Sequence, residues 1–508
     1  MNCTVMDKKN FFVFFLPAIL VIGFVLRFWN IHQSFWWDEL WSTLPYAGAS
    51  SAWETVSSLG YYFNNHILYS LLCRLSLQFF GQAELTARLP ALLMGLLGIV
   101  LLFQLGKNLV GTLPALLACF LLAVSAFHIE HSTEARGYSG FALFSFIASY
   151  YYLKALRSNT ASAWALYSLF TVLGFYTHVC MVLVSLSQFF FWVLLSTGKK
   201  LGLKTDIETK ALKKYLFSTA AAAITTLILY CPILLTFISN MGKVKICSVN
   251  RLPFIQNLLS CNFPGILSMQ GCFFYAAVLF MGVLFLFKKD ALLCLYIIVL
   301  LLLPVSLYLF INPMFAFERY FIFALPFSLM LVSCGIIGLG DCISKNRPYK
   351  AVVMLLLILA LISGNAPYIY TTVTQDRQNY REAVQYVEKE IKSSPGHEDV
   401  FVFSIGQAGE HFTYYAGIPI YRPASFDELM VLLRDKKQAW CLITAWLPSI
   451  RPPYEDRALY AELPEHEKIY AYVMHNFTLK KEFYSRFPTK VYMLKIPQGL
   501  TVFSSLPS

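Results

Sequence analysis

Hydrophobic positions fall in long blocks along the first three-quarters of the chain. Segments of about 17 to 25 mainly apolar residues recur, each long enough to cross a hydrocarbon core of ~30 Å as a helix. They lie near 11–29, 85–105, 111–128, 138–156, 162–177, 179–197, 215–238, 269–287, 291–311, 320–340 and 350–369, so about eleven transmembrane helices are expected. The first block lacks a small-residue cleavage site and runs straight into an aromatic stretch. It therefore reads as a retained helix and not as a signal peptide.

Residues 30–84, between the first two blocks, are too polar for lipid and too apolar for a free loop. They are expected to lie on the membrane surface. Within them, HILYSLLCRLSLQFF (His66 to Phe80) places Leu68, Leu71, Leu72, Leu75 and Phe79 at helical spacing, interrupted by Arg74. That pattern predicts an interfacial helix and not a twelfth span.

Beyond residue 370 the pattern shortens. NYREAVQYVEKEIKSS puts Tyr380, Val384, Val387 and Ile391 on one helical face, and DVFVFSI, AWCLITAW and KVYMLKI are apolar runs suited to buried strands. A helix over FDELMVLLRDK, between the first two strands, predicts a parallel crossover. GQAGEH lacks the G-x-G-x-x-G spacing, so no nucleotide is implied. The expected architecture is a polytopic α-helical membrane domain, 1–369, followed by a small external α/β domain, 370–508.

Composition supports the membrane reading, with 57% hydrophobic and 13% charged residues among 508. The net charge of +12 would suggest a nucleic-acid partner until the cations are placed on the topology. Lys8 and Lys9, Lys107, Lys154 and Arg157, the run Lys199 to Lys214, Lys288 and Lys289, and Lys345 to Lys350 fall in alternate short loops, which the positive-inside bias assigns to the cytoplasm. No nucleic acid is expected. The N-terminus is expected inside and, after an odd number of spans, the tail outside. The twelve cysteines are mostly scattered through apolar segments, where a thiol is a small hydrophobe. Cys247 and Cys261 share one outer loop and are open to a disulfide, which spacing does not decide.

On this topology the ionisable residues gather at one membrane edge. Asp38, Glu39, His66 and Arg88 lie in the first outer segment or at its end; Glu130, His131, Glu134 and Arg136 fill the next outer turn; His178 caps a third; Glu318 and Arg319 form a fourth. Charges at membrane depth are costly and usually face a cavity, so a site is expected there. Plainer roles stay open for several of them. Arg88 and Arg319 at helix ends suit snorkelling, Trp36, Trp37 and Trp41 suit an aromatic belt, and His178 suits an interfacial position. His128, His131 and Glu134 repeat every three residues, which leaves a divalent metal open as the one cofactor to consider. The adjacent acids Asp38 and Glu39 in WWDELW need chemistry or a cationic partner such as Arg136.

The order WWDELW, NNHILYSLL, ELTARLPALLMGLLGIVLLFQLGKNLVG and FHIEHSTEARGYSGFALF resembles bacterial glycosyltransferases of the GT-C superfold, relatives of protein O-mannosyltransferases and the lipid A aminoarabinose transferase. The resemblance covers residues 10–200 well, the later spans loosely and the tail hardly at all. The family's first-loop D-E falls on Asp38 and Glu39, and its E-A-R-x-Y on Glu134, Ala135, Arg136 and Tyr138. Where many members have H-P-P-L-Y, this chain has His66-Ile67-Leu68-Tyr69, keeping the histidine and tyrosine without the prolines.

The resemblance implies transfer of one sugar from a polyprenyl-phosphate-linked donor to an acceptor hydroxyl of a protein, lipid or glycan, at the outer face of the cell (inner or cytoplasmic) membrane. Asp38 is then the general base, with Glu39 beside it as the second catalytic candidate, and Arg136 the donor-phosphate ligand, with Arg88 and Arg319 as alternatives. Glu134, Tyr138, His66, Tyr69, Trp37, His178 and Glu318 are candidates for holding sugar or acceptor. Glu39 and Glu134 would position sugar hydroxyls or orient Arg136. Direct attack predicts inversion at the anomeric carbon. Two rival readings are a polyprenyl-linked glycan flippase, which would place ionisable groups near the bilayer midplane, and a polymerase or ligase using a diphosphate-linked chain.

Overall fold

The computed structural model describes residues 15–58, 65–202, 207–241, 251–311, 317–393, 400–405, 409–434, 436–444, 463–486 and 489–495. The chain divides into two compact units, Met1–Ile31 with Trp41–Val373 and His32–Leu40 with Thr374–Ser508. The boundary expected at 369/370 falls inside a helix, Arg347–Thr374, and residues 32–40 of the outer segment group with the tail.

The first unit is helical. Its elements begin with α1 (Phe15–Phe28), α2 (Trp37–Trp41, shared with the second unit), a π-helical turn (Ser42–Ala47), α3 (Ala52–Ser57), α4 (Ile67–Phe80), α5 (Glu84–Val110), α6 (Thr112–Ala123) and α7 (Ala126–Ser132). There follow α8 (Tyr138–Ser158), α9 (Ala161–Thr177), α10 (Met181–Lys200), α11 (Thr209–Met241), α12 (Arg251–Asn262), α13 (Met269–Lys289) and α14 (Ala291–Ile311). A 3₁₀ turn (Glu318–Ala324) leads into α15 (Leu325–Ile343), and α16 (Arg347–Thr374) closes the unit.

Each of the eleven apolar blocks is helical over its described part. Among the described residues, seven helices are long and apolar enough to cross a membrane, or eight if one bent pair is a single span, so the count of eleven is not reached. The shortfall has local causes. The described part of α1 is 14 residues and α9 is 17, while α8 is rich in Ser and Tyr. The span Glu318–Ile343 is 94% buried over its most apolar window, against 11% for Thr209–Thr236 and for Arg347–Thr374. The buried helix is therefore the core of the bundle, and the other two leave most of their surface uncovered by the described chain. Gly335 lets it approach α13 backbone to backbone, because a Cβ there would collide with the Val278 carbonyl.

The block at 111–128 is broken. α6 and α7 meet at a 63° bend. A break at membrane depth frees carbonyls that must find donors. Arg27, fully buried in α1, donates to Ala123 O (2.9 Å) and Leu122 O (3.4 Å), and Asn365 Nδ2 donates to Val124 O (2.7 Å). Ser125 caps the new helix by accepting from the His128 N–H. The bend is thus supported from both sides, and it brings α7 and the residues after it, Thr133 to Gly137, into the core.

The second unit holds the sheet. Helix α17 (Tyr380–Ser393) is followed by β1 (Val400–Ser404), α18 (Gly409–Tyr415), α19 (Phe426–Leu433), β2 (Gln438–Thr444), α20 (Leu463–Asn476), β3 (Thr478–Phe483) and β4 (Thr489–Lys495). The strand order is β1-β2-β4-β3, with β1 and β2 parallel and the other pairs antiparallel. The parallel pair with α19 between is the expected crossover. Alternate strand residues feed two cores: Val402, Trp440, Leu442 and Val491 pack with Tyr380, Val384 and Val387 of α17, and Phe401, Phe403, Cys441 and Tyr492 with Leu429, Ile469 and Val473 of α19 and α20. β3 is not signalled by an apolar run, being an edge strand with Lys480 and Lys481. Cys247 lies outside the described residues, so the pairing with Cys261 is not described.

Candidate active site

The turn after α7 carries the site. Arg136 is 1% exposed, and its side chain makes directed contacts: Nη1 donates to Ser42 Oγ at 2.9 Å and Nη2 lies 3.0 Å from His66 Nε2. The next residue completes the pattern, since the Gly137 N–H donates to His66 Nδ1 at 2.9 Å. Only glycine allows that approach, because a Cβ at 137 would stand 2.9 Å from Nδ1 and 3.0 Å from Thr177 Cγ2. Ser42 begins the π-helical turn, an irregularity often found at functional sites, which Arg74 secures from α4 by donating to the Ala49 and Ser50 carbonyls.

Aromatic rings assemble the rest. Tyr138 sits edge-on to His66 (4.9 Å between centroids), His178 lies 4.6 Å from His66 and 5.3 Å from Tyr138, and Tyr320 lies 5.3 Å from His178. Two guanidinium groups share the Tyr138 ring, Arg136 at 5.7 Å and Arg319 at 5.5 Å. His131, itself 3.2 Å from Glu134, lies 5.1 Å from Tyr138. The structure thus gathers Arg136, Tyr138, His66, His178, Arg319, His131 and Glu134 from four separate stretches of the chain.

Burial, with Arg136, His178 and Arg319 nearby, holds the His66 imidazole well below its usual pKa. Burial and the same two arginines push His178 down to about 3. Both rings are neutral at pH 7. A neutral imidazole has one acceptor nitrogen, whereas a guanidinium and a backbone N–H can only donate. At His66 the two donors approach different ring nitrogens, Gly137 at Nδ1 and Arg136 at Nε2, and the tautomer sets which of them finds the acceptor.

The pH dependence follows from these two rings. A histidine free in the unfolded chain titrates near 6.5, so below that pH the unfolded state binds more protons than the folded one. For each ring the contribution is present above about pH 6.5 and is lost as the pH falls below it, for His178 toward about 3, by roughly 1 kcal/mol per pH unit. The thermal midpoint of the detergent-solubilised protein should fall steadily from pH 7 to 5, and the double variant His66→Gln, His178→Gln should flatten that slope. A midpoint independent of pH in the wild type would show that the rings are not held neutral.

Other expected residues have different surroundings. Arg88, fully buried, donates from Nη1 to Ile31 O at 2.6 Å where the chain leaves α1, and Tyr69 donates to Ala87 O at 2.6 Å, tying α4 to α5. Glu318 is half-buried at the start of the 3₁₀ turn. The metal candidates do not form a ligand group: His128 Nδ1 is 2.7 Å from Arg27 Nη2, His131 faces Glu134, and among the described residues no three His, Cys, Asp or Glu side chains are arranged to hold an ion. Ser42, Gly137, Tyr320 and Arg27 were not foreseen. Only Arg27 carried a signal, a charge inside an apolar run.

Asp38, Glu39 and Trp37 belong to the second unit. Glu39 is fully buried and its Oε2 accepts from the Trp36 N–H at 3.1 Å, as the third helical residue of a capping box does. Asp38, 7% exposed, is the second residue of α2.

The fold is the GT-C fold of multi-pass membrane glycosyltransferases. Residues 65–211 match the family model described as dolichyl-phosphate-mannose-protein mannosyltransferase. ArnT from Cupriavidus metallidurans in the apo state is similar at 12% identity with a TM-score of 0.55, over 96% of this chain and 99% of that one. The same protein bound to undecaprenyl phosphate gives 13% and 0.52, over 97% and 100%. The archaeal oligosaccharyltransferase AglB from Archaeoglobus fulgidus, in complex with an inhibitory peptide and a dolichol-phosphate, gives 13% and 0.51, over 91% and 72%. No curated protein matches the chain in sequence. The chain is thus a fold relative of the O-mannosyltransferases and ArnT.

Proposed function

We propose that this protein transfers a single sugar from a polyprenyl-phosphate donor to an acceptor hydroxyl at the outer face of the cell membrane, with inversion. The observation that carries the reading is the convergence of donors at His66: the Arg136 guanidinium and the Gly137 N–H approach one neutral ring, with Arg319 beside them on Tyr138. The Arg136 guanidinium, held between Ser42 and His66, is then placed to donate to a phosphate oxygen. The lipid phosphate bound to the ArnT relative and the alternate cationic loops support the same reading.

In the reaction the acceptor oxygen forms a bond to the anomeric carbon as the bond from that carbon to the phosphate oxygen breaks. The hydroxyl proton passes to the Asp38 carboxylate, and the bonding electrons leave on the phosphate, where Arg136 stabilises them. Trp37, Glu134 and Tyr138 are left to position sugar or acceptor.

The test is incubation of purified protein in detergent with radiolabelled undecaprenyl-phosphate hexoses and pentoses and a membrane extract. One sugar should label one fraction, protein, lipid or glycan, and thereby name the acceptor. Absence of transfer from every monophosphate donor, with transfer from a diphosphate-linked glycan, would replace this reading with a polymerase or ligase.

A further inference from the structure

The segment carrying the acid pair is held by the tail, and through identifiable contacts. Gln33 Oε1 accepts from the Arg377 N–H (3.0 Å), and Ser34 Oγ donates to Gln378 O (2.8 Å) while accepting from the Tyr380 N–H (3.1 Å). The Phe35 N–H donates to Tyr415 Oη (2.7 Å), and the Arg377 guanidinium lies 3.4 Å from the centre of the Trp36 ring. The last contact is the most telling. The Trp37 N–H, at the first position of α2, donates to Gln378 Oε1 at 3.0 Å.

Helix α2 has five residues, too few to be stable by itself. Its orphan N–H groups need side-chain acceptors, and two are supplied: Glu39 of the helix itself at Trp36, and Gln378 from outside it at Trp37. Asp38 is the next residue. Gln378 is 3% exposed, and Tyr380, two residues on, is in the core beneath the sheet with Phe412, so the support is anchored in a packed core.

We infer that the C-terminal unit positions Asp38 for catalysis, with Gln378 as the positioning residue that orients the first turn of α2. This rests on the reading of Asp38 as the base. It gives the tail a task in catalysis that requires no contact between tail and substrate.

The test uses the full-length protein and the undecaprenyl-phosphate sugar that labels the membrane extract. Gln378→Leu removes the acceptor at similar volume and should lower kcat about 10- to 100-fold, the cost of misplacing a reacting group, with KM for the donor within about twofold. Gln378→Glu keeps an acceptor oxygen and should restore most of the rate. Tyr415→Phe removes one oxygen without altering shape and should lower kcat in the same direction. In an Asp38→Asn background, Gln378→Leu should cause no further loss, because nothing remains to be positioned. Equal fractional losses in both backgrounds would reduce Gln378 to a structural role and overturn the inference. So would full activity of Gln378→Leu beside an inactive Asp38→Asn. Full activity of Asp38→Asn would overturn the reading of Asp38, and the inference with it.

Discussion

Asp38→Asn is expected to lower turnover by about 100- to 10,000-fold, the usual contribution of a general acid–base group, with membrane insertion and donor binding unchanged. The amide is nearly isosteric with the carboxylate but takes no proton at neutral pH. The measurement is transfer of radiolabel under single turnover, with binding of undecaprenyl phosphate followed separately. Glu39→Gln is the control. Its neighbour's position is not available to it, since adjacent residues point in different directions, and Glu39 Oε2 already accepts from the Trp36 N–H. Glutamine keeps an oxygen for that bond, so the loss should be far smaller. Abolished transfer in Glu39→Gln with an active Asp38→Asn would move the base to Glu39.

Arg136→Lys should reduce turnover on the order of 100-fold although the charge is retained. A guanidinium reaches Ser42 Oγ through Nη1 and the His66 face through Nη2 at the same time. An ammonium has no planar fork and cannot hold both while meeting a phosphate oxygen. The rate should fall more than the affinity for the intact sugar donor, because the extra charge on the leaving oxygen develops only as its bond to the anomeric carbon breaks. A fully active Arg136→Lys would transfer the role to Arg319, which shares the Tyr138 ring, ahead of Arg88, whose Nη1 holds the Ile31 carbonyl.

Much of this molecule is legible in its amino-acid sequence. Apolar blocks announce helices wherever they occur, because a chain in lipid must satisfy its backbone internally whatever its neighbours are. The α/β tail is legible for a related reason: the spacing of Tyr380, Val384, Val387 and Ile391 and the three apolar strands report burial directly. β3 escapes because an edge strand with lysines has no apolar run to report. The acid pair and the E-A-R-x-Y stretch stand out in the sequence as charge beside apolar blocks, and Asp38, Glu39, Glu134 and Arg136 are all buried.

Roles are another matter, because they depend on partners that are remote along the chain. Ser42 and Arg136 are 94 positions apart, and Trp37 and Gln378 are 341 apart. Neither serine nor glutamine is unusual where it stands, and each acquires meaning only from the donor brought to it. The break between α6 and α7 is likewise hidden in an unbroken apolar block, and exists because Arg27 and Asn365 supply donors to the carbonyls it frees. Local pattern determined which segments are apolar helices and which carry charge. Tertiary structure decided which charges meet, which ring stays neutral and which unit holds Asp38, because hydrogen-bond valence is settled between groups in space and leaves no periodicity in the sequence.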